Sequence, residues 1–131
     1  MSIEIKASGA PQFPLPFSHA IRAGDFVYVS GQVGVIPETR EVAGDTIEEQ
    51  TIQCVKNIET ILQAAGLTLD HVIKVNAHLS SMDDVPAYNK VYETLFNKPY
   101  PTRTTVQSGI GKYLIEIDVI AYAPTRRGEN A

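Results

Sequence analysis

The chain has 131 residues, with 11 Lys and Arg against 15 Asp and Glu, and so a formal net charge of −4. That length suits one domain with a core able to stand without metal or disulfide staples, and the lone cysteine, Cys54, has no internal disulfide partner. A reducing cytoplasm is therefore the expected setting, while mild acidity without a Lys/Arg cluster argues against a nucleic-acid surface.

No apolar run approaches the ~20 residues of a membrane span, and the first nine residues, MSIEIKASG, lack the apolar centre of a signal peptide. With no repeat or linker, residues 1–131 read as one domain. Gly9, Pro11, Pro14 and Pro16 make residues 1–16 an expected irregular arm, and residues 125–131 an expected disordered tail. Two β-rich runs, 19–22 and 26–30, flank Ala23-Gly24-Asp25, a hairpin signal. Residues 31–36 continue extended before a turn at 37–40. Thr46 and Glu49 fit a capping box, in which each side chain satisfies the other's backbone N–H. Cys54, Val55, Ile58, Ile61, Leu62 and Ala65 then form one apolar helical face, and Gly66 supplies a left-handed stop.

Residues 72–79 alternate, with Ile73, Val75, Ala77 and Leu79 on one side and Lys74, Asn76 and His78 on the other, as in a half-buried strand. A second helix starts near Asp83 and Asp84, tolerates Pro86 in its first turn, and carries Tyr88, Val91, Tyr92, Leu95 and Phe96 on one face. Pro99 and Pro101 lead into a strand at 102–107, and Gly109 and Gly111 mark a loop. From 113 to 122, Ile115, Ile117, Val119 and Ala121 oppose Glu116, Asp118, Ile120 and Tyr122. This order predicts an α+β fold, a mixed sheet covered on one face by two helices. The other face, with Ile120 and Tyr122 beside two acids, is too apolar for water, which predicts a closed homo-oligomer.

Familiar catalytic signatures are absent. There is no phosphate-binding loop or dinucleotide fingerprint, and His19, His71 and His78 lack metal-ligand spacing. His78 faces outward, either as a general base or as a plain polar position. Cys54, on an apolar helix face, reads as an inert small hydrophobe. Arg103, inside a β-branched strand, reads as half-buried and in need of an anion. Glu116 or Asp118 could supply it, or a ligand carboxylate could, since the guanidinium fork suits both. Glu116, among Leu114, Ile115 and Ile117, suits proton exchange near neutrality; it reads equally as a surface glutamate or as the partner of Arg103. Asp118 shares its face, and paired carboxylates can divide acid and base roles.

Several segments in series carry a resemblance: Val29-Ser30-Gly31-Gln32, Ala64-Ala65-Gly66-Leu67, residues 85–92 (VPAYNKVY), residues 101–106 (PTRTTV) and residues 115–121 (IEIDVIA). Their order and spacing over residues 15–123 resemble the RidA/YjgF family, also known as L-PSP or reactive-intermediate deaminases. The resemblance implies a chorismate-mutase-like homotrimer with a cleft at each subunit interface. It implies hydrolysis of 2-imino or enamino acids, such as 2-iminobutanoate and 2-iminopropanoate, to 2-oxo acids and ammonia, with no cofactor and no metal. Arg103 matches the family arginine that holds the substrate carboxylate, and Glu116 the acid that activates water. Ser30, Gly31 and Asn89 match positions near the pocket, and the main chain around Thr105 matches the place that orients substrate or water.

Three departures bear on substrate identity. Phe17 stands where many of these deaminases have Tyr, and Thr105 replaces a frequent Cys. The 107–113 loop is also short and lacks a Leu-Pro lip. These differences leave open a larger enamine such as 2-aminomuconate. The same residues would also serve a small-carboxylate binder without catalysis. An endoribonuclease or translation inhibitor, a label the family also carries, finds little support in a chain with no basic stripe.

Overall fold

Hydrophobic alternation in six short segments and helical spacing in two give the elements of the computed structural model, which describes residues 2–124. The tail expected at 125–131 lies outside the described residues. The strands are β1 (Ser2–Ile5), β2 (Ala20–Ala23), β3 (Phe26–Val33), β4 (Val72–Leu79), β5 (Thr102–Gln107) and β6 (Ile115–Tyr122); the helices are α1 (Ile47–Ala64) and α2 (Val85–Leu95). They form one sheet in the order β1-β2-β3-β6-β4-β5. Neighbours are antiparallel except β4 and β5, which run parallel. A parallel pair needs a crossover, and α2 lies in the connection between β4 and β5. The α+β architecture with a mixed sheet and two helices is as expected.

Thr46 caps α1: its Oγ1 accepts from the Glu49 N–H at 3.1 Å and donates to the Glu49 carboxylate at 2.9 Å. The expected box is thus half made, because Glu49 takes the hydroxyl proton instead of a backbone N–H. Gly66, at φ 76°, supplies the left-handed turn after α1. The apolar faces of α1 (Val55, Ile58, Ile61, Leu62) and α2 (Tyr88, Tyr92) bury against Val75, Leu79, Ile115, Ile117 and Val119 of the sheet. Asn57, itself buried, donates to the carbonyls of Val33 and Val35 at 3.1 and 2.9 Å, tying α1 to the end of β3.

Two expectations need correction. Residues 1–16 are not wholly irregular: β1 pairs with β2, Ser2 opposite Ala23 through Ile5 opposite Ala20. The prolines and glycine that suggested an arm all lie beyond Ile5, so they leave this short edge strand free to form. Ile73 does not face the core with Val75 and Ala77. A register irregularity between Val72 and Lys74 buries Val72 and leaves Ile73 exposed. Such a bulge shifts the inward and outward alternation by one residue.

The face away from the helices is apolar and uncovered in a single chain. Phe26 lies opposite Tyr122 and Tyr28 opposite Ile120, while Val106 lies opposite His78. Phe26, Tyr28, Val106 and Tyr122 are all exposed. Phe26 and Tyr122 are in ring contact, 5.3 Å between centroids, and such exposed apolar clusters suit a contact face.

Candidate active site

Register decides which side of the sheet each candidate occupies. Along β4, Val75 and Ala77 are buried towards the helices, and Asn76 and His78 alternate to the open face. On one side of β4, Arg103 pairs with Val75 and Thr105 with Ala77. On the other, Glu116 pairs with His78 and Asp118 with Asn76. Paired residues share a face. Arg103 and Thr105 therefore face the helices, and Glu116 and Asp118 face away. One chain holds the two principal candidates on opposite sides of its sheet.

On the helix side, β5 is the last strand, which leaves Arg103 exposed at the edge and not half-buried as expected. Its Nη2 donates to Asn89 Oδ1 at 2.6 Å. Its guanidinium carbon lies 4.8 Å from the Tyr92 ring centroid and 5.4 Å from that of Tyr88. Spacing of three and four residues along α2 sets Tyr88, Tyr92 and Asn89 on the side turned to β5. Tyr92 also stacks on Phe96, centroid to centroid 4.6 Å, which fixes the platform from below. Burial raises the phenol pKa of Tyr88 against the pull of Arg103 and the Thr105 hydroxyl. Burial, with Tyr88 adding to it, pushes that of Tyr92 up to about 12, so both rings stay neutral π-faces under the cation. A cavity of about 250 Å³ opens here, lined by Asn89, Tyr92, Glu93, Tyr100, Pro101 and Arg103.

A structural ion pair is not what satisfies Arg103. Neither Glu116 nor Asp118 reaches it, and it has no carboxylate partner among the described residues. Its fork is held from two sides and still has N–H groups to offer.

On the open face, Glu116 sits beside an irregularity. The β3–β6 register shifts between Val29 and Gln32, which takes Ser30 and Gly31 out of the regular ladder. A Cβ on Gly31 would lie 2.6 Å from Glu116 Oε2, so only glycine leaves the carboxylate its place. Ser30 donates its hydroxyl to the Ser18 carbonyl at 2.6 Å. Phe17, exposed, precedes Ser18 and lines a small cavity with Lys6, Phe13 and His19. The N-terminal segment thus borders the Glu116 half. Beyond Glu116 on β4, His78 shares a 2.8 Å hydrogen bond between Nδ1 and Ser108 Oγ, and its Nε2 lies 4.0 Å from Asp118 Oδ2. Asn76 Nδ2 donates to Asp118 Oδ1 at 2.9 Å.

The structure thus brings together Arg103, Asn89 and Thr105, and separately Glu116, Gly31 and Ser30 with Phe17 at the margin. Sequence reading missed the tyrosine platform, because Tyr88 and Tyr92 on an apolar helix face looked like core alone; their position on either side of Asn89 was the available signal. Cys54 is buried and donates its thiol to the Gln32 carbonyl at 3.0 Å. Burial, with Glu116 adding to it, drives the thiol pKa far up, which leaves it inert. Among the described residues no cluster of three or more His, Cys, Asp or Glu could hold a metal, and no helix is long and apolar enough to cross a membrane.

Residues 8–123 match the family model described as Endoribonuclease L-PSP. The chain belongs to this family, the RidA/YjgF family of the sequence resemblance. Among its L-PSP relatives, a RutC family protein of Saccharolobus solfataricus is 44% identical over 114 residues, covering 86% of this chain and 90% of the relative. The 2-iminobutanoate/2-iminopropanoate deaminase of Dermatophagoides farinae is 36% identical over 97 residues, covering 74% of this chain and 76% of its own. The crystal structure of E. coli TdcF with bound serine superposes with a TM-score of 0.85 at 30% identity, covering 92% of this chain and 98% of that one.

Proposed function

We propose that this protein is a cofactor-independent deaminase that hydrolyses 2-imino or enamino acids, of the 2-iminobutanoate and 2-iminopropanoate type, to 2-oxo acids and ammonia. The observation that carries the reading is Arg103: a guanidinium held by Asn89 and two tyrosine rings and neutralised by no protein carboxylate among the described residues. A cation kept in that state suits a ligand carboxylate, which it can grip through parallel hydrogen bonds. The name of the mite relative supplies the substrate class.

The reaction asks little beyond placement. An iminium carbon is already electrophilic, so a positioned water and a base suffice. Water oxygen bonds to the imine carbon as Glu116 takes one of its protons. Glu116 returns that proton to the amine nitrogen of the resulting carbinolamine, the carbon–nitrogen bond breaks to release ammonia, and the hydroxyl proton shed as the carbonyl forms passes back through Glu116 to solvent. For this Glu116 must stand within one water of a carbon whose carboxylate sits on Arg103. Opposite faces of one sheet do not allow that. The site we propose is therefore shared, with the open face of one copy against the β5 edge of the next, in a homotrimer. The uncovered Phe26, Tyr28, Val106 and Tyr122 support a covered open face.

A second reading, a carboxylate-binding protein without catalysis, is favoured by the serine bound to TdcF. Serine carries a carboxylate and no imine. Ammonia release from freshly generated 2-iminobutanoate separates the two. The deaminase accelerates it, and Arg103→Ala lowers kcat/KM by about a hundredfold, the worth of a charge-assisted bidentate contact. No acceleration by the wild type overturns the proposal, and serine binding without turnover supports the second reading.

A further inference from the structure

We propose that the Tyr88 hydroxyl is a second anchor for the substrate carboxylate, donating to it from beneath while the Arg103 guanidinium grips it from the solvent side. The proposal rests on the reading above in one respect, that Arg103 holds the ligand carboxylate. It adds a binding group to a side chain that the reading uses only as an aromatic face.

Buried hydroxyls are normally paired, because an unpaired one gives up its bonds to water and gains nothing in return. Among the described residues, four buried side-chain oxygens have no hydrogen-bond partner: those of Thr51, Tyr88, Tyr92 and Thr105. Three of these four surround one guanidinium, since Tyr88 and Tyr92 lie under Arg103 and Thr105 shares its face of β5 two residues on. Tyr88 is wholly buried, and Arg103 above it is exposed. Unpaired hydroxyls thus gather where a cation without a carboxylate partner already stands.

Of the three, the Tyr88 hydroxyl is the best placed. It lies near enough to the Thr105 hydroxyl and to Arg103 for both to favour its ionised form, yet it completes a hydrogen bond with neither. Tyr92 feels Arg103 only as a charge, and its ring is stacked on Phe96. Burial outweighs the pull on Tyr88 and keeps its phenol protonated, so near neutrality it offers a donor. A carboxylate has room for one more: its two oxygens carry about four acceptor sites, and the guanidinium fork takes one on each oxygen. To admit the ligand the guanidinium has to shift outward over the rings. It is tied by the Nη2 bond to Asn89 and by no carboxylate among the described residues. The ligand carboxylate then lies between the fork and the phenol.

Tyr88→Phe isolates the oxygen, because it keeps the ring under Arg103. Two quantities are read: the Kd of 2-oxobutanoate, the product of the proposed reaction, by calorimetry, and the melting temperature of the free protein. The expected result is a Kd about tenfold weaker, the worth of a hydrogen bond to a charged acceptor. The melting temperature should stay level or rise, since the free protein loses only an unpaired hydroxyl. With 2-iminobutanoate the same variant should raise KM by a similar factor and leave kcat within about twofold. An unchanged Kd overturns the proposal; if the melting temperature falls as well, solvent is what satisfies the hydroxyl. A second readout uses the wild type alone, and no folding defect enters it. On saturation with 2-oxobutanoate, the NMR resonance of the hydroxyl-bearing ring carbon of Tyr88, assigned with Tyr88→Phe, should move further than that of Tyr92. Equal movement, or none, overturns the contact. A wild type that binds 2-oxobutanoate but releases no ammonia from 2-iminobutanoate removes the deaminase reading and leaves the Tyr88 anchor in place. One that binds no carboxylate overturns both.

Discussion

The two sides of the sheet handle charge in opposite ways. At the β5 edge a single cation is fixed by neutral groups, one amide oxygen and two aromatic faces, and is left electrically unanswered. On the open face two carboxylates and an imidazole crowd together among apolar neighbours. In the reaction proposed above, the first arrangement would supply an anchor and no base, and the second a base and no anchor for an acid. Either alone would then bind at most, and the proposed hydrolysis would need both. The separation is set by strand parity, since β5 and β6 flank the same strand with Arg103 beside Val75 and Glu116 beside His78. A side-chain rotation does not undo it.

If the open face supplies the base and the edge supplies the grip, damage to each should read out differently. The largest effect belongs to Glu116→Gln, which should lower kcat by about 10²–10⁴ while a carboxylate ligand still binds. A fall in binding with kcat intact would instead make Glu116 part of the grip. Gly31→Ala comes next. The new Cβ displaces the flexible end of Glu116, not backbone, so activity should fall by about tenfold or more with the melting temperature changed by only a few degrees. Equal loss of stability and activity would mean that the close approach is structural. Smallest is Tyr92→Leu. It keeps an apolar side chain but removes one π-face from Arg103, and KM should rise by about twofold to fivefold, the worth of an exposed cation–π contact, with kcat little changed.

Much of this was legible before the fold was known. The alternation from Ile115 to Ala121 placed Glu116 and Asp118 together on the side away from the core, because a period of two is a local property of the strand. The helix start at Thr46 and the stop at Gly66 were local in the same sense. What escaped was non-local. That β5 ends the sheet cannot be read from its own β-branched sequence, and so Arg103 looked half-buried and in want of a protein anion. Whether Arg103 and Glu116 share a face depends on how two distant strands pair with a third. The bulge that turns Ile73 outward lies in that same pairing and leaves no mark in residues 72–79. The family resemblance named Arg103, Asn89, Glu116 and Gly31 as neighbours of one pocket; the single chain groups them two and two.

Subunit mixing tests the central claim, a site divided between copies, most directly. Arg103→Ala and Glu116→Gln are each expected to be nearly inactive. Co-expressed in equal amounts, they assemble into mixed rings in which an intact Arg103 of one copy can meet an intact Glu116 of the next. With random assembly in a closed ring that occurs at about one interface in four, whatever the ring size. The expected result is about a quarter of the wild-type rate of 2-iminobutanoate hydrolysis. A mixture no more active than the average of its two parents would contradict the shared site.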